Sequence, residues 1–273
     1  MTTLTTARAD RIPIASERSI SALVLHTVIQ TQRLLLRWAR SPVALLETLI
    51  IPCLLLVMLD VVVGGQIRKF TGSNPLDGSV PLTAVVGALS GAVGNGILLG
   101  RERDAGLLAR FWVLPVHRAS GPAARVLAEG ARILAGTVTV VIVGCLLGFR
   151  FHGGIVATVV FLCLPVLFGL AFATIVTATA VYTAKATLVE GITVVTSLMM
   201  FFSTGFVPLA AYPPWIRPVV HDQPMSVVVD TMHALATGSA SAHLLTFTLI
   251  WSVGMIGIFA VPAAIGYRRA SRR

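Results

Sequence analysis

The residues from Arg101 to Gly121 read RERDAGLLARFWVLPVHRASG. Arg101, Glu102, Arg103 and Asp104 place four charges in succession, and Gly106, Leu107 and Arg110 follow at once. This island lies between two apolar stretches of membrane length, 81–100 and 128–149. Charges at this density are too costly for a bilayer interior. The stretch therefore belongs at a membrane surface, where residues 101–104 can make charge-assisted hydrogen bonds to a soluble partner. Lipid phosphates are an equal alternative for Arg110 and Arg118.

No other constellation suggests catalysis. His26, His117, His152, His221, His233 and His243 are scattered without an HExxH spacing, so no metalloenzyme and no metal ligands are expected. Cys53, Cys145 and Cys163 each lie in an apolar stretch without a CxxC pair, which indicates neither a disulfide framework nor a zinc site. Residues 64–66 read GGQ, like the signature of ATP-binding cassettes, but lack its preceding Leu-Ser. The two lysines, Lys69 and Lys185, follow Arg68 and Ala184 rather than a glycine, so there is no Walker A lysine to cradle a phosphate. The chain is expected to bind no cofactor and to carry no catalytic residue.

The elements that hold the island are apolar. Of 273 residues 56% are hydrophobic and 12% are charged, about half the charge of a soluble domain, which is roughly 25%. This composition excludes a large soluble core and marks an integral membrane protein. A crossing helix needs about 20 apolar residues, and six stretches qualify: 43–63, 81–100, 128–149, 155–181, 188–207 and 243–266. Pro165 interrupts the fourth and predicts a tilt or a kink there. The fold expected is an all-α, six-span membrane domain over 43–266, preceded by a cytoplasmic N-terminal segment, 1–42, and followed by a basic tail, 267–273. No cleavable leader is read in the first forty residues.

Basic residues set the orientation. Seventeen of the 21 lysines and arginines fall before the first stretch, between the second and third, between the fourth and fifth, or after the sixth, counting Arg132 just inside the start of the third. The remaining four are Arg68, Lys69, Arg150 and Arg217. Positive charge stays inside, so both termini and the 101–121 island face the cytoplasm of an inner membrane. The net charge of +10 is a property of those loops and of anionic lipid rather than of nucleic-acid binding.

Three further elements follow from pattern. Over 20–40, Ile20, Leu23, Val24, Thr27, Val28, Thr31, Leu34, Leu35 and Trp38 share one helical face, opposite His26, Gln30, Arg33, Arg37 and Arg40. This predicts an interfacial helix with its arginines toward lipid phosphates, ended at Ser41-Pro42. Gly87, Gly91, Gly94, Gly96 and Gly100 predict close helix packing in the second span. Residues 208–242 carry five prolines, Tyr212 and Trp215, with an apolar stretch at 225–235 too short to span, and so predict an outer re-entrant or interfacial hairpin packed by protein. Glu47, Asp60, Glu129, Arg132 and Glu190 lie near the span ends, where snorkelling or local pairing is expected, with Glu129 and Arg132 spaced to pair.

Together the island, the nine residues FFSTGFVPL (201–209), Tyr212-Pro213, Trp215-Ile216, Gln223-Pro224 and the closing AIGYRRAS resemble ABC-2 type transporter permeases of the daunorubicin-resistance type, particularly their mycobacterial lipid-export relatives. The resemblance covers about 20–271 and departs at the hairpin, where an arginine near His233 is expected and absent. It implies an ABC-2 (type V) exporter fold, with Arg101, Glu102, Arg103, Asp104, Gly106, Leu107 and Arg110 as the segment coupling to a separate ATPase subunit. It implies Arg33, Arg37, Trp38 and Arg40 in an elbow helix, and ATP and Mg bound by the ATPase. It also implies a second permease, sister or copy, and a hydrophobic drug or complex lipid as cargo. A self-contained secondary transporter or channel is the alternative, and would need midplane polar groups or inverted repeats.

Overall fold

A computed structural model describes residues 19–72, 74–104, 119–182 and 186–270. The described residues are helical or in turns. Helix α1, Ile20–Ala39, precedes α2, Pro42–Val62, with Arg40 and Ser41 between them. The Ser41 hydroxyl accepts from the Ala44 amide at 3.3 Å and Pro42 occupies the first turn, so the break read at Ser41-Pro42 is a capped helix start. Within α2 the turn 46–50, which holds Glu47, is widened to π geometry.

The short α3, Gly64–Thr71, leads to α4, Leu76–Asp104; then follow α5, Ser120–Leu147, α6, Gly154–Tyr182, and α7, Ala186–Phe201. A compact stretch carries α8, Arg217–Asp222, and α9, Pro224–Thr237, before α10, Ala242–Ala270. Five of these, α2, α4, α5, α6 and α10, are long and apolar enough to cross a membrane. The fifth stretch of the sequence forms the 16-residue α7, shorter than a full crossing.

Two spans are longer than their apolar stretches suggest. Helix α4 starts five residues before Pro81 and continues through Arg101–Asp104, while α5 starts at Ser120. Polar residues continue a helix readily where its backbone bonds are already in step, so the charged island begins as the last turn of α4. Pro165 lies inside α6 and Pro262 inside α10.

The core sits where α4 is wrapped by its neighbours: Leu82, Val85 and Leu89 of α4 meet Phe161, Phe168 and Val176 of α6 and Val228, Met232 and Leu235 of α9. Helix α9 is only 14 residues long yet buried almost all round, including Met225, Val228, Val229 and Met232. The protein packing read for this segment is therefore present. Lipid-facing aliphatics coat the outside, among them Val61, Leu146, Ile155 and Ile258.

At the α9 end, α5 stops at Gly148, whose φ of 113° closes the helix with Phe149 N–H donating to the Gly144 carbonyl at 2.8 Å. Phe149, Phe151 and Phe161 then form an edge-on cluster. A side chain at Gly153 would strike the Leu235 carbonyl, which is why the 148–153 connection can lie against the end of α9.

Candidate functional site

The charged residues flanking the island are not scattered over a surface. Helices α4 and α5 run antiparallel, and their facing positions form a ladder: Glu102 against Arg125, Asn95 against Glu129, and Gly91 against Arg132. On α5 these partners fall at intervals of four and three residues, one helical stripe. Glu102 is 9% exposed and takes guanidinium contacts from both Arg125 and Arg37, the latter at 3.0 Å. It thereby fastens α1 to the end of α4.

One to two turns deeper, Glu129 accepts from Arg132 on its own helix and from the Asn95 amide across the interface. The predicted pairing of Glu129 with Arg132 is thus made, with both side chains buried. The guanidinium fills the space that a side chain at Gly91 would take, and its Nε is buried with no hydrogen-bond partner among the described residues. An ion pair in this setting offsets its desolvation only through such contacts, and removing one partner strands the other.

The glycine stripe does this job at two further steps. A side chain at Gly87 would meet Pro52 of α2 at 3.0 Å, and at Gly96 would collide with Val176 of α6. Gly94 faces the Glu47 carboxylate, and a side chain at Gly100 would meet none of the described residues within 4 Å. The stripe therefore receives side chains from three different spans, α2, α5 and α6, rather than the backbone of one partner helix.

The interfacial helix differs from its pattern. Ile20, Val24, Val28 and Leu36 are exposed, whereas Ala22 and Thr27 are buried and His26 and Gln30 are half-buried. The Gln30 amide donates to the Ser120 hydroxyl at 3.0 Å, at the first turn of α5. His26 and Gln30 thus leave the polar face expected of them and join Ala22, Thr27 and the half-buried Leu23, Leu34 and Leu35 on the inner side of α1, while Ile20, Val24, Val28 and Leu36 turn outward. Arg33 and Arg40 are exposed, and Trp38 donates its indole N–H to the Thr48 hydroxyl at 3.3 Å.

Of the predicted coupling residues, Arg101 is exposed, Glu102 is internally paired, and Arg103 and Asp104 continue the helix. Gly106, Leu107 and Arg110 lie outside the described residues, as do Arg118 and the Trp112 to His117 stretch. Arg37 and Arg125 as partners of Glu102 were missed by residue-level reading. The signal was a pair of stripes, on α4 and α5, in antiparallel register. Among the described residues no group of three or more His, Cys, Asp or Glu is placed to hold a metal ion.

At the opposite end, α9 and the turn before it are joined by hydroxyls and amides. Thr204 donates to Asp230 at 2.6 Å, Gln223 donates to the Met199 carbonyl and the Ser226 hydroxyl, and Tyr212 donates to the Phe201 carbonyl at 3.1 Å. Arg217 and Arg150, two of the four basic residues assigned to this side, bond backbone carbonyls.

The sequence profile of ABC-2 type transporters matches residues 26–236, from within α1 to the last turn of α9. The chain belongs to the ABC-2 type transporter family. A relative from Mycobacterium tuberculosis (strain H37Rv), the probable doxorubicin resistance ABC transporter permease protein DrrC, is 42% identical over 261 residues, covering 96% of this chain and 94% of that one. A more distant one, the daunorubicin resistance ABC transporter permease protein DrrB1 of Streptomyces coeruleorubidus, is 26% identical over 248 residues, covering 90% and 87%. In this ABC-2 family member the α4–α5 ladder and the α1 clasp lie inside the matched region, directly bracketing the island.

Proposed function

We propose that this chain is the permease subunit of an ATP-driven exporter that moves a hydrophobic drug or complex lipid out of the inner membrane, powered by a separate ATPase subunit. The carrying observation is the 42% identity to a permease along 96% of the chain. A sequence without a Walker A lysine gives the separate ATPase a reason, and that subunit would hold ATP and Mg.

In this reading the island end of the helices and both termini are cytoplasmic, as the basic residues favour. Residues 101–110 engage the ATPase, with Glu102 acting from within as the post that ties this segment to α1 and α5. Helix α7 completes six crossings with help from flanking residues, α1 lies in the interface, and α8 with α9 forms the re-entrant hairpin of the outer face. A second permease, a sister subunit or a copy, closes the transport path, and the surrounding lipids take the exposed arginines.

The test is co-expression with a cognate ATPase and ATP-driven export of a hydrophobic dye from proteoliposomes. Co-purification and export are expected, and the double variant Glu102→Gln with Gly106→Val should hydrolyse ATP without exporting while still inserting. Normal export by that variant would overturn the coupling assignment. Gradient-driven export by the chain alone, without ATP, would restore the secondary-transporter reading.

A further inference from the structure

A cleft of about 250 Å³ opens at the α9 end of the molecule. Its walls are largely apolar, made by Ile67, Pro75, Leu209 and Val229 and by the bare backbones of Gly78 and Gly205. Two titratable side chains line it, Asp230 and His233, three residues apart on one face of α9.

Their hydrogen bonds determine what they can offer. His233 Nδ1 lies 3.0 Å from the Asp77 carbonyl oxygen, which can only accept, so Nδ1 donates and ties the ring to the start of α4. Asp230 accepts one bond, from Thr204, through Oδ1, and Oδ2 takes none among the described residues. No Lys or Arg among them pairs with Asp230. Burial holds its carboxyl above the ordinary range, while Thr204 and then His221 and His233 act in the opposite direction. The cleft is thus an apolar slot holding a carboxylate with one oxygen that takes no hydrogen bond and no Lys or Arg partner among the described residues.

We infer that this cleft binds the protonated amine of an amphiphile, with Asp230 taking its charge and the apolar walls taking the adjoining chain. The inference rests on the export reading only for treating that amine as cargo. A carboxylate with a free oxygen gives a charge-assisted bond that a neutral ligand cannot replace.

The experiment uses the full-length chain in nanodiscs of phosphatidylcholine and phosphatidylglycerol, which contain no primary amine. A dansyl-labelled long-chain amine and its N-acetyl counterpart are titrated in, with protein-free discs as blank. The amine should bind more tightly than the acetylated probe, and Asp230→Asn should weaken it roughly ten-fold, as expected for one charge-assisted bond, leaving the acetylated probe unchanged. Leu209→Trp, which fills the slot, should weaken both probes. Equal binding of the two probes, an equal loss of both in Asp230→Asn, or no effect of Leu209→Trp would overturn the proposal. Phosphatidylethanolamine added to the discs distinguishes the source of the amine: competition identifies a lipid, and its absence identifies a free amphiphilic cation. No ATPase is present, so a failed export assay and a failed cleft give separate results.

Discussion

The two ends of the helical bundle are joined by different forces. At the island end, α1, α4 and α5 meet through Glu102, Arg37, Arg125, Glu129, Asn95 and Arg132, set against glycines. At the α9 end, contact is mainly aliphatic and aromatic, with Val228, Met232, Phe149 and Phe161 fully buried, and the polar links between segments are hydrogen bonds such as Thr204 to Asp230, Thr231 with Thr248 and His233 to the Asp77 carbonyl, with no Lys or Arg to carboxylate pair among the described residues. Dispersion contacts are lost steeply as surfaces separate. Ion pairs between side chains weaken more gradually with distance, so helices joined through them can shift while staying attached. The island end is suited to transmit displacement and the α9 end to resist it.

The sharpest way to break that comparison is to strand a charge. Glu129→Leu leaves Arg132 buried without its partner and should lower stability by about 3–5 kcal/mol, read as a large fall in the detergent unfolding midpoint. Adding Arg132→Met should recover most of the loss. At the other end Met232→Ala should cost about 2–5 kcal/mol through a cavity, with no second substitution in the ladder able to restore it. Equal losses for the single and double ladder variants would mean that Glu129 matters for packing alone.

A smaller effect sharpens the role of the glycines. Gly91→Ala pushes a methyl into the Arg132 guanidinium and should cost about 1–3 kcal/mol. Gly100→Ala meets none of the described residues within 4 Å and should be neutral or gain up to about 1 kcal/mol from helix propensity. If Gly100→Ala proves as harmful in the isolated chain as Gly91→Ala, the stripe packs against something other than these side chains.

Much of this difference was legible in composition and spacing. Apolar length marked the spans that the structure forms, and the i, i+3 spacing marked Glu129 with Arg132. The partner of Glu102 was hidden because it depends on register between α4 and α5, which no single helix encodes. His26 and Gln30 were placed with the arginines because helical periodicity sorts residues by polarity. The structure sorts them by which face meets Ser120. Hydropathy reads a span over 188–207, whereas the α-helix α7 ends at Phe201 and residues 202–207 follow it as turns, a boundary that hydropathy does not mark.

The smallest predicted effect belongs to the α9 end and concerns pH. Burial raises the Asp230 carboxyl above its ordinary value, so the folded chain holds that proton more tightly than the unfolded chain does. The resulting stability is fully present below the unfolded carboxylate range, near pH 4. It is lost as pH rises through the higher folded value. Asp230→Asn cannot titrate and has no such slope. Unfolding midpoints of the two proteins should therefore differ most in favour of the native residue at acid pH, with that advantage shrinking toward neutrality. A gap that widens in favour of the native residue as pH rises would mean that a cation already neutralises Asp230 in the folded protein. The α9 end would then be held by charge, as the island end is.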